Sequence, residues 1–521
     1  MISETVIQHA CETPDAIAMV DDKRTLTYRE LVWGGNMMAD HYERLTPRAE
    51  FGDKVGLLIP PSAAFAVAFG ACRWIGRIPL PLNYLLKPEE IVGIVRDADL
   101  RVIFTVEYFQ PLVEAVNAGL RAAGAREVKI VCMESLTFEK PGMLAMAQIA
   151  LNPKNLAKYL KPLPARHPDD VAVIMYTSGS AGVPKGVMLT NKNLESNADD
   201  AVAFAQFTQK TVFLGCLPMF HTLGLQGSFL IPMKLGSKVI YQARFSPVGV
   251  FELVKKHGIE VLIMVPTMYA VMAAAKSAHK DSLAGVKYCF SGGEPLPVSL
   301  IKAYKEKFDI TLFEAFGLTE TSPIATLNLP WDNKAGSVGK AIPHVQLKIV
   351  DDAGKELPRN TDGELYIKGP NVMKGYYNRP DLTAEVMTPE GWFKTGDVAK
   401  IDDEGFLFIT GRKKDMIIMA GEKIFPREIE DALRQHPAVV VAAVIGMKDG
   451  ARGEMPVAFV QLKPDAELGA SKPTVNDLRN FVRERIAPYK TPREVYIMAE
   501  LPRNATGKVQ KRDLAGLIPP A

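Results

Sequence analysis

Short apolar runs that alternate with longer helix-like segments restrict the fold of this chain more than any other feature. Such runs recur through about the first 350 residues and are typical of buried strands in largely parallel sheets. They lie at 54–59, 102–105, 128–131, 171–176, 212–217, 238–241, 261–265 and 286–291. Because strands alternating with helices favour α/β layering, the sequence predicts an α/β fold with a large N-terminal domain of layered sheets.

The pattern changes in the last third of the chain. From residue 345, strand–turn–strand pieces are separated by the turn signals "DDAGKE" and "DDEGF", which predicts a β-rich subdomain over about 345–409. Beyond "GRKKD", strands are expected at 439–445, 456–462 and 494–498, with helices starting near Pro426 and Val475. These elements predict a small α+β C-terminal domain, so we divide the chain into domains 1–413 and 414–521.

Composition excludes several classes of protein. The 521 residues are 47% hydrophobic and 23% charged, and the formal net charge of +3 does not call for a nucleic-acid partner. Five scattered cysteines fit neither a zinc site nor a disulfide framework, which favours a cytoplasmic location. The most apolar stretch, 55–82, is interrupted by Pro60, Pro61, Arg73 and Arg77, so we expect no transmembrane segment.

A loop rich in glycine and hydroxyl groups, "YTSGSAGVPKGV" at 176–187, is the first candidate binding site. Glycines allow backbone N–H groups to approach an anion, hydroxyls donate hydrogen bonds, and a lysine adds charge. Pro184 stands directly before Lys185, where a Walker loop requires glycine, and the context predicts strand–loop–strand. Taken alone, the loop fits a flexible hairpin equally well. Its candidate ligand-binding residues are Thr177, Ser178, Gly179, Ser180, Ala181, Gly182 and Lys185.

Three later motifs carry further candidate groups. "FEAFGLTETS" at 313–322 offers Thr319 as a donor to phosphate and Glu320 as an oxygen ligand for Mg²⁺. The segment 392–415 places Asp397 and Arg412 at predicted strand ends, where an aspartate can accept from both ribose hydroxyls. "LPRNATGKVQKRDL" at 501–514 presents Lys508 on a glycine-bearing loop. Each motif by itself has a plain structural explanation, namely a surface carboxylate, a turn aspartate and a basic tail.

In this order the motifs resemble the adenylate-forming (ANL) superfamily, which includes acyl-CoA synthetases, adenylation domains of peptide synthetases and firefly luciferases. The resemblance extends from about Leu26 to Leu514 and is nearest to the acyl-CoA synthetase branch, the fatty-acid–CoA ligases. It implies a mobile C-terminal domain and an active site between the two domains. The phosphate loop departs from the family pattern, since Ser180 and Ala181 stand where two threonines are common.

The resemblance implies ATP, Mg²⁺ and coenzyme A as cofactor and co-substrates. It assigns the loop 177–185 to the β- and γ-phosphates, Thr319 to the α-phosphate, Glu320 to Mg²⁺ and Asp397, with Arg412 beside it, to the ribose. Lys508 would act between the carboxylate and the α-phosphate. Adenine would contact Gly292, Gly293, Glu294, Pro295, Glu314, Ala315, Phe316 and Gly317. Rotation about Lys414 would then bring Ala420, Gly421 and Glu422 to the thiol tunnel.

The substrate is indicated by "LPMFHTLGL" at 217–225. Peptide-synthetase domains usually have an aspartate directly after this phenylalanine, whereas here His221 resembles the histidine of fatty-acyl, aryl and coumarate ligases. The segment "RIPLPLNYLLKPEEI" is similar to synthetases that act on fatty acids. We therefore expect a medium- or long-chain fatty acid that is activated as acyl-AMP and transferred to CoA. An acyl-carrier-protein acceptor, an aryl or coumarate-type acid and, remotely, an inactive nucleotide-binding homologue stay open.

Overall fold

The computed structural model describes residues 2–139, 141–178, 184–419, 422–449, 453–464, 468, 472–503 and 509–518. Helices and strands alternate up to about residue 327, as the apolar runs predict. The strands are β1 (Ile17–Val20), β2 (Thr25–Thr27), β3 (Lys54–Leu58), β4 (Ile78–Pro81), β5 (Val102–Thr105), β6 (Lys129–Cys132), β7 (Val171–Ser178), β8 (Pro184–Thr190), β9 (Val212–Gly215), β10 (Lys238–Tyr241), β11 (Val261–Met264), β12 (Tyr288–Ser291), β13 (Leu312–Gly317), β14 (Ile324–Leu327), β15 (Lys340–Ala341), β16 (Gln346–Val350), β17 (Gly363–Lys368), β18 (Gly375–Tyr376), β19 (Phe393–Ile401), β20 (Leu407–Arg412), β21 (Ile417–Met419), β22 (Glu422–Ile424), β23 (Val439–Lys448), β24 (Glu454–Leu462) and β25 (Glu494–Met498). The helices are α1 (Ile2–Glu12), α2 (Tyr28–Leu45), α3 (Arg48–Phe51), α4 (Ala63–Trp74), α5 (Pro88–Asp97), α6 (Gln110–Ala122), α7 (Met143–Leu151), α8 (Asn191–Ala205), α9 (Thr222–Leu225), α10 (Ile231–Leu235), α11 (Pro247–His257), α12 (Pro266–Ala274), α13 (Val298–Phe308), α14 (Pro380–Val386), α15 (Pro426–Arg434), α16 (Val475–Arg483) and α17 (Lys511–Leu514).

A nine-stranded sheet forms the centre of the N-terminal part, with strand order β15-β14-β13-β12-β11-β9-β10-β1-β2. The strands from β13 to β1 in this order run parallel, and antiparallel strands close both edges. The loops that follow β9, β11, β12 and β13 therefore leave the same edge of the sheet. Ligands of open α/β sheets bind outside the carboxyl ends of such strands, so this edge is where a site is expected.

Two further sheets complete the first half of the fold. A parallel sheet of order β4-β3-β5-β6 is covered by helices, which explains why its strands are mostly apolar. The strands β7 and β8 form an antiparallel hairpin, and β18 from residues 375–376 adds to it beside β8. The hairpin confirms the predicted strand–loop–strand setting of the glycine-rich loop.

Antiparallel pairing dominates after residue 345. The strands β16, β17, β19 and β20 form one sheet where the sequence predicts a β-rich subdomain. In the C-terminal part, β24 pairs antiparallel with β23 and parallel with β25, and the apolar sides of α15 and α16 pack on this sheet. The mixed α/β architecture with a large N-terminal and a smaller C-terminal part confirms the predicted fold class. None of the described helices combines the length and the apolar character that crossing a bilayer would require.

Arg77 is a charged side chain enclosed in the interior beside the parallel sheet, with 2% of its surface exposed. Its Nη1 donates to the carbonyl and the hydroxyl of Thr46, both at 2.8 Å, and its Nη2 donates to the carbonyl of Gly52 at 2.8 Å. Burial lowers the pKa of the guanidinium from its ordinary value. The side chain thereby satisfies backbone acceptors at the end of α2 and after α3 that would otherwise be buried without a donor.

Replacement of Arg77 by methionine is expected to destabilise the fold by about 3 kcal/mol, because buried acceptors lose charged donors. The midpoint of urea unfolding measures this loss. Arg121→Met is the matched control, since Arg121 forms an exposed pair with Glu127 and is 58% exposed. A surface pair contributes about 0–1 kcal/mol, so the control should unfold near the wild-type midpoint. Equal midpoints for the two variants would show that Arg77 does not support the interior.

Candidate active site

Two of the predicted adenine-contacting segments lie side by side at the carboxyl edge of the nine-stranded sheet. Residues 292–295 follow β12, residues 314–317 end β13, and Ser291 pairs with Glu314 in the parallel register. At Gly292, a Cβ atom would lie 3.2 Å from Leu223 and 3.5 Å from the carbonyl of Ala315. The backbone here is therefore approached closely from two sides, and glycine leaves the room for that approach.

The histidine motif meets the same edge through α9. His221 is exposed and occupies the N-cap of α9, where its Nδ1 accepts from the backbone N–H of Leu223 at 3.4 Å. The hydroxyl of Thr222 donates to that of Thr319 at 3.3 Å. This contact brings the motif at 217–225 next to the residue predicted to bind the α-phosphate.

Glu320 is joined to the phosphate hairpin through Tyr376. The hydroxyl of Tyr376 donates to Oε1 of Glu320 at 2.8 Å, while Tyr376 pairs with Val187 of β8 in the hairpin sheet. The Nζ of Lys185 lies 5.1 Å from the centre of the Tyr376 ring, within the range of a cation–π contact. Burial and the Glu320 carboxylate raise the pKa of the Tyr376 hydroxyl, so it stays a hydrogen-bond donor at neutral pH.

Tyr376 was missed by sequence reasoning. Its only local signal is the doublet Tyr376-Tyr377 beside the glycine of "KGYYN", and nothing in the motif order relates that doublet to Glu320. On the hairpin itself, Thr177 pairs with Lys185 across the two strands. The predicted residues Gly179, Ser180, Ala181 and Gly182 lie outside the described residues, as does the side chain of Ser178.

Asp397 and Arg412 form a pair on adjacent strands. They face each other in the β19–β20 register, and Nε of Arg412 contacts Oδ1 of Asp397 at 2.9 Å. The carboxylate is buried, with 3% of the side chain exposed, whereas 43% of Arg412 is exposed. The guanidinium therefore holds a buried carboxylate in one orientation from its solvent side.

Glu314 is a buried carboxyl group within β13. Its Oε1 accepts from the backbone N–H of Leu296 at 3.0 Å, which fixes the end of the 292–295 segment. Burial raises the pKa of Glu314 to about 7, against the opposing influence of Arg427 in α15, whose Nη2 lies 4.0 Å from Oε1. Arg427 belongs to the C-terminal part of the chain, so α15 faces the candidate adenine site.

The predicted hinge residue Lys414 lies in a short 3-10 turn, Lys413–Asp415, directly after β20. Its neighbour Lys413 contacts Glu364 at 2.9 Å and Asp352 at 3.3 Å. Glu422 is exposed and starts β22, which pairs with β21. Ala420 and Gly421 of the predicted thiol tunnel and the predicted catalytic Lys508 lie outside the described residues.

Comparison with known proteins identifies the family of this chain. Residues 7–377 match the model of the AMP-binding enzyme family, and residues 428–508 match the model of the AMP-binding enzyme C-terminal domain. The chain belongs to the AMP-binding enzyme family. The ANL resemblance drawn from its motifs is thereby confirmed.

Its relatives include ligases for unlike acids. A long-chain-fatty-acid–CoA ligase of Bacillus subtilis (strain 168) is 31% identical over 526 residues, covering 97% of this chain and 92% of that protein. A 2-succinylbenzoate–CoA ligase of Bacillus cytotoxicus is 31% identical over 516 residues, covering 98% of each. The crystal structure of O-succinylbenzoate coenzyme A synthetase from Bacillus subtilis with ATP and magnesium superposes with a TM-score of 0.83, at 28% identity, covering 98% and 99% of the two chains.

This AMP-binding enzyme is therefore an AMP-forming acid–thiol ligase that uses ATP, Mg²⁺ and CoA and proceeds through an acyl-adenylate. Among the described residues, no group of three or more His, Cys, Asp or Glu side chains is placed to hold a metal ion. A single carboxylate such as that of Glu320 is nevertheless compatible with Mg²⁺ bound together with ATP. Mg²⁺ keeps several waters and binds through one or two carboxylates together with substrate phosphates.

The raised pKa of Glu314 leads to a pH-dependent stability. The folded state favours the neutral carboxyl group, so its contribution is complete below the ordinary pKa of 4.5 and is lost as the pH rises through about 7. Glu314→Gln should remove this loss, which amounts to roughly 3 kcal/mol at pH 8. We expect the melting temperature of the variant to exceed that of the wild type at pH 8, with the difference shrinking towards pH 5.

Glu306→Gln serves as the control for this measurement, because Glu306 is exposed on α13. Its melting temperature should follow that of the wild type across the same pH range. If Glu314→Gln also follows the wild type at every pH, burial does not keep Glu314 neutral.

Proposed function

We propose that this ligase activates a medium- or long-chain fatty acid as its acyl-AMP, releases pyrophosphate and then transfers the acyl group to CoA. The observation that supports this most is the contact of Leu223 with Gly292 at the candidate adenylate edge. It sets an apolar side chain two residues beyond His221, and His221 itself stands where peptide-synthetase domains usually carry an aspartate for the ammonium group of an amino acid. A buried ammonium without such a partner is costly, so an uncharged acyl chain suits this wall.

Aromatic contacts join the two segments that resemble fatty-acid synthetases. Phe220 packs edge-on against Tyr84 with the ring centres 4.9 Å apart, and Tyr84 stacks on Phe109 at 4.6 Å. Tyr84 belongs to "RIPLPLNYLLKPEEI", and Phe220 precedes His221. Farther along the wall, Gly227 leaves room for Ile263, since a Cβ atom there would lie 2.6 Å from its Cδ1. Met219 and Leu225 are buried beside these residues.

In the first half-reaction, a carboxylate oxygen of the acid bonds to the α-phosphorus of ATP while the bond to the β-phosphate oxygen breaks and pyrophosphate leaves. We assign Lys185 and Thr177 to the leaving β- and γ-phosphates and Thr319 to the α-phosphate. Glu320 would hold Mg²⁺, which supplies charge neutralisation on the phosphates. Asp397, oriented by Arg412, would accept from the ribose hydroxyls, and Lys508 would neutralise the charge between the carboxylate and the α-phosphate.

In the second half-reaction, the CoA sulfur bonds to the acyl carbonyl carbon, the bond from that carbon to AMP breaks, and the thiol proton is released. We propose that the C-terminal domain rotates about Lys414 between the half-reactions. The rotation would withdraw Lys508 and present the segment containing Ala420, Gly421 and Glu422 to the pantetheine arm. The alternative acceptor of the acyl group is the thiol of an acyl carrier protein. The alternative substrate is an aryl acid, which the similarity to a 2-succinylbenzoate–CoA ligase favours.

A panel of carboxylic acids tests the substrate class. Pyrophosphate release should be fastest with saturated acids of medium or long chain and should require added CoA for sustained turnover. Benzoate, coumarate and succinylbenzoate serve as the aryl arm. Faster turnover with any aryl acid would overturn the fatty-acid assignment, and turnover with a holo-carrier protein but not with CoA would replace the acceptor. Failure of every acid to promote pyrophosphate exchange would favour the inactive nucleotide-binding homologue.

Lys508→Ala tests whether Lys508 acts in the first half-reaction and not in the second. Loss of a charge aimed at the transition state should slow acyl-AMP formation by about 100-fold or more. Thioester formation from supplied acyl-AMP should stay within a few-fold of wild type, since Lys508 would then be withdrawn. Lys448→Ala, an exposed lysine at the end of β23, is the control and should leave both rates unchanged. Equal losses in both half-reactions would contradict the assignment.

A further inference from the structure

The helix α7 exposes more apolar surface than any neighbouring segment of the chain. Its nine residues, MLAMAQIAL, contain one polar side chain, Gln148, and one buried side chain, Ile149. Met143 is 90% exposed, Leu144 72% and Leu151 86%, and Met146 is 49% exposed. Large apolar side chains scattered singly on a surface are ordinary, but a contiguous apolar patch marks a surface that contacts another body.

The exposed side chains share one side of the helix. At about 100° per residue, the four of them fall within about 160° of the circumference, while Ile149 points to the opposite side and into the protein. The 3-10 segment Pro153–Tyr159 fixes this orientation, because Asn155 donates to the carbonyl of Gln148 at 2.8 Å and the hydroxyl of Tyr159 donates to its side chain. The apolar side of α7 is thus held outward by the packing of the following segment.

The chain around α7 is basic. Residues 141–168 contain no aspartate or glutamate, whereas Lys154, Lys158, Lys161 and Arg166 lie within them. Two of these cations already have partners, since Lys161 contacts Asp40 and Glu43 and Arg166 donates to the carbonyls of Arg73 and Trp74. Lys154 and Lys158 are exposed on the 3-10 segment that packs against α7. The apolar patch therefore has positive charge on the border formed by the 3-10 segment.

From these features we propose that α7 and its flanking lysines dock the protein on the surface of an anionic phospholipid bilayer. Met143, Leu144 and Leu151 would enter the boundary between headgroups and acyl chains, and Lys154 and Lys158 would contact lipid phosphates. A helix of nine residues is about 14 Å long, less than half of the hydrocarbon thickness, so it lies in the interface and does not cross it.

A bilayer suits the patch better than a second copy of the chain does. A stable protein interface engages about 20–30 residues on each side, whereas this patch is one short helix with a few neighbours. Lipid needs no shape complementarity and surrounds a protruding apolar helix on all its exposed sides. The bordering lysines match an anionic surface, and two like-charged borders would repel each other in a symmetric dimer.

Docking through α7 is independent of the proposed substrate, because none of the patch residues belongs to the candidate active site. Flotation of the full chain with vesicles tests it, using phosphatidylcholine alone and an equal mixture with phosphatidylglycerol. The wild type should float with the mixed vesicles. The triple variant Met143→Ser, Leu144→Ser and Leu151→Ser should bind them about tenfold or more weakly, because three apolar side chains no longer enter the interface.

The matched control is the double variant Val248→Ser and Val271→Ser, which removes apolar side chains that are 49% and 52% exposed on other helices. It should float like the wild type. A charge arm, Lys154→Glu with Lys158→Glu, should weaken binding to the mixed vesicles by about fivefold or more and should change binding to phosphatidylcholine little. Melting temperatures show that all variants are folded.

Any one of three results would overturn the proposal. The first is failure of the wild type to float with the mixed vesicles, and the second is flotation of the triple variant to the same extent as the wild type. The third is a wild-type dimer, seen by light scattering without vesicles, that the triple variant abolishes; a second copy of the chain would then be the occupant of α7.

Discussion

The hydroxyl of Tyr376 donates to Glu320, and the strand that carries Tyr376 pairs with the hairpin that carries Lys185. This hydrogen bond joins the antiparallel hairpin to the segment that follows β13 of the nine-stranded sheet. Two further bonds support the same junction, since the backbone N–H of Met373 donates to the carbonyl of Glu320 at 2.8 Å and the side chain of Asn371 donates to that of Thr321 at 2.9 Å. Together these contacts hold the proposed phosphate loop and the proposed metal ligand in a fixed relative position.

Two buried carboxyl groups, Glu314 within β13 and Asp397 within β19, are also held in fixed orientations. Asp397 is held by Arg412 from the solvent side, and Glu314 accepts from a backbone N–H while burial raises its pKa to about 7. The cation limits the cost of removing Asp397 from water, and the raised pKa of Glu314 reflects the cost of burying its charge. The candidate nucleotide site is therefore lined by groups whose hydrogen-bonding directions are set before any ligand binds.

Much of this fold follows from local sequence patterns. The apolar runs predict the strands to within a few residues; the run 286–291, for example, becomes β12, which begins two residues later at Tyr288. The hairpin of β7 and β8 follows from two strands around a glycine-rich loop. Motif order identified Thr319, Glu320 and Asp397 as candidates because each belongs to a distinctive short pattern. Their roles, and the domain boundary at 413/414, stay predictions.

The contacts that assemble the site were beyond local patterns. Tyr376 lies 56 residues from Glu320, and Arg427 approaches Glu314 from helix α15 of the C-terminal part, so only the folded arrangement relates them. The exposure of the apolar side of α7 could not be predicted for a different reason. An apolar helix of nine residues has the same composition whether it is buried or exposed, and periodicity does not report which neighbours cover it.

The weak contacts between the two parts of the chain bear on the proposed rotation. Lys423 contacts Asp352 at 3.2 Å, but the two side chains are 56% and 72% exposed, and such a pair contributes about 0–1 kcal/mol. The contact of Arg427 with Glu314 is long, and protonation of Glu314 near its pKa of about 7 would weaken it further. Phe425, in contrast, packs directly against Gly411, where a Cβ atom would lie 2.9 Å from the ring. The exposed contact between Lys423 and Asp352 can therefore separate at little cost, while the apolar contact of Phe425 lies beside the turn that contains Lys414, about which the rotation is proposed.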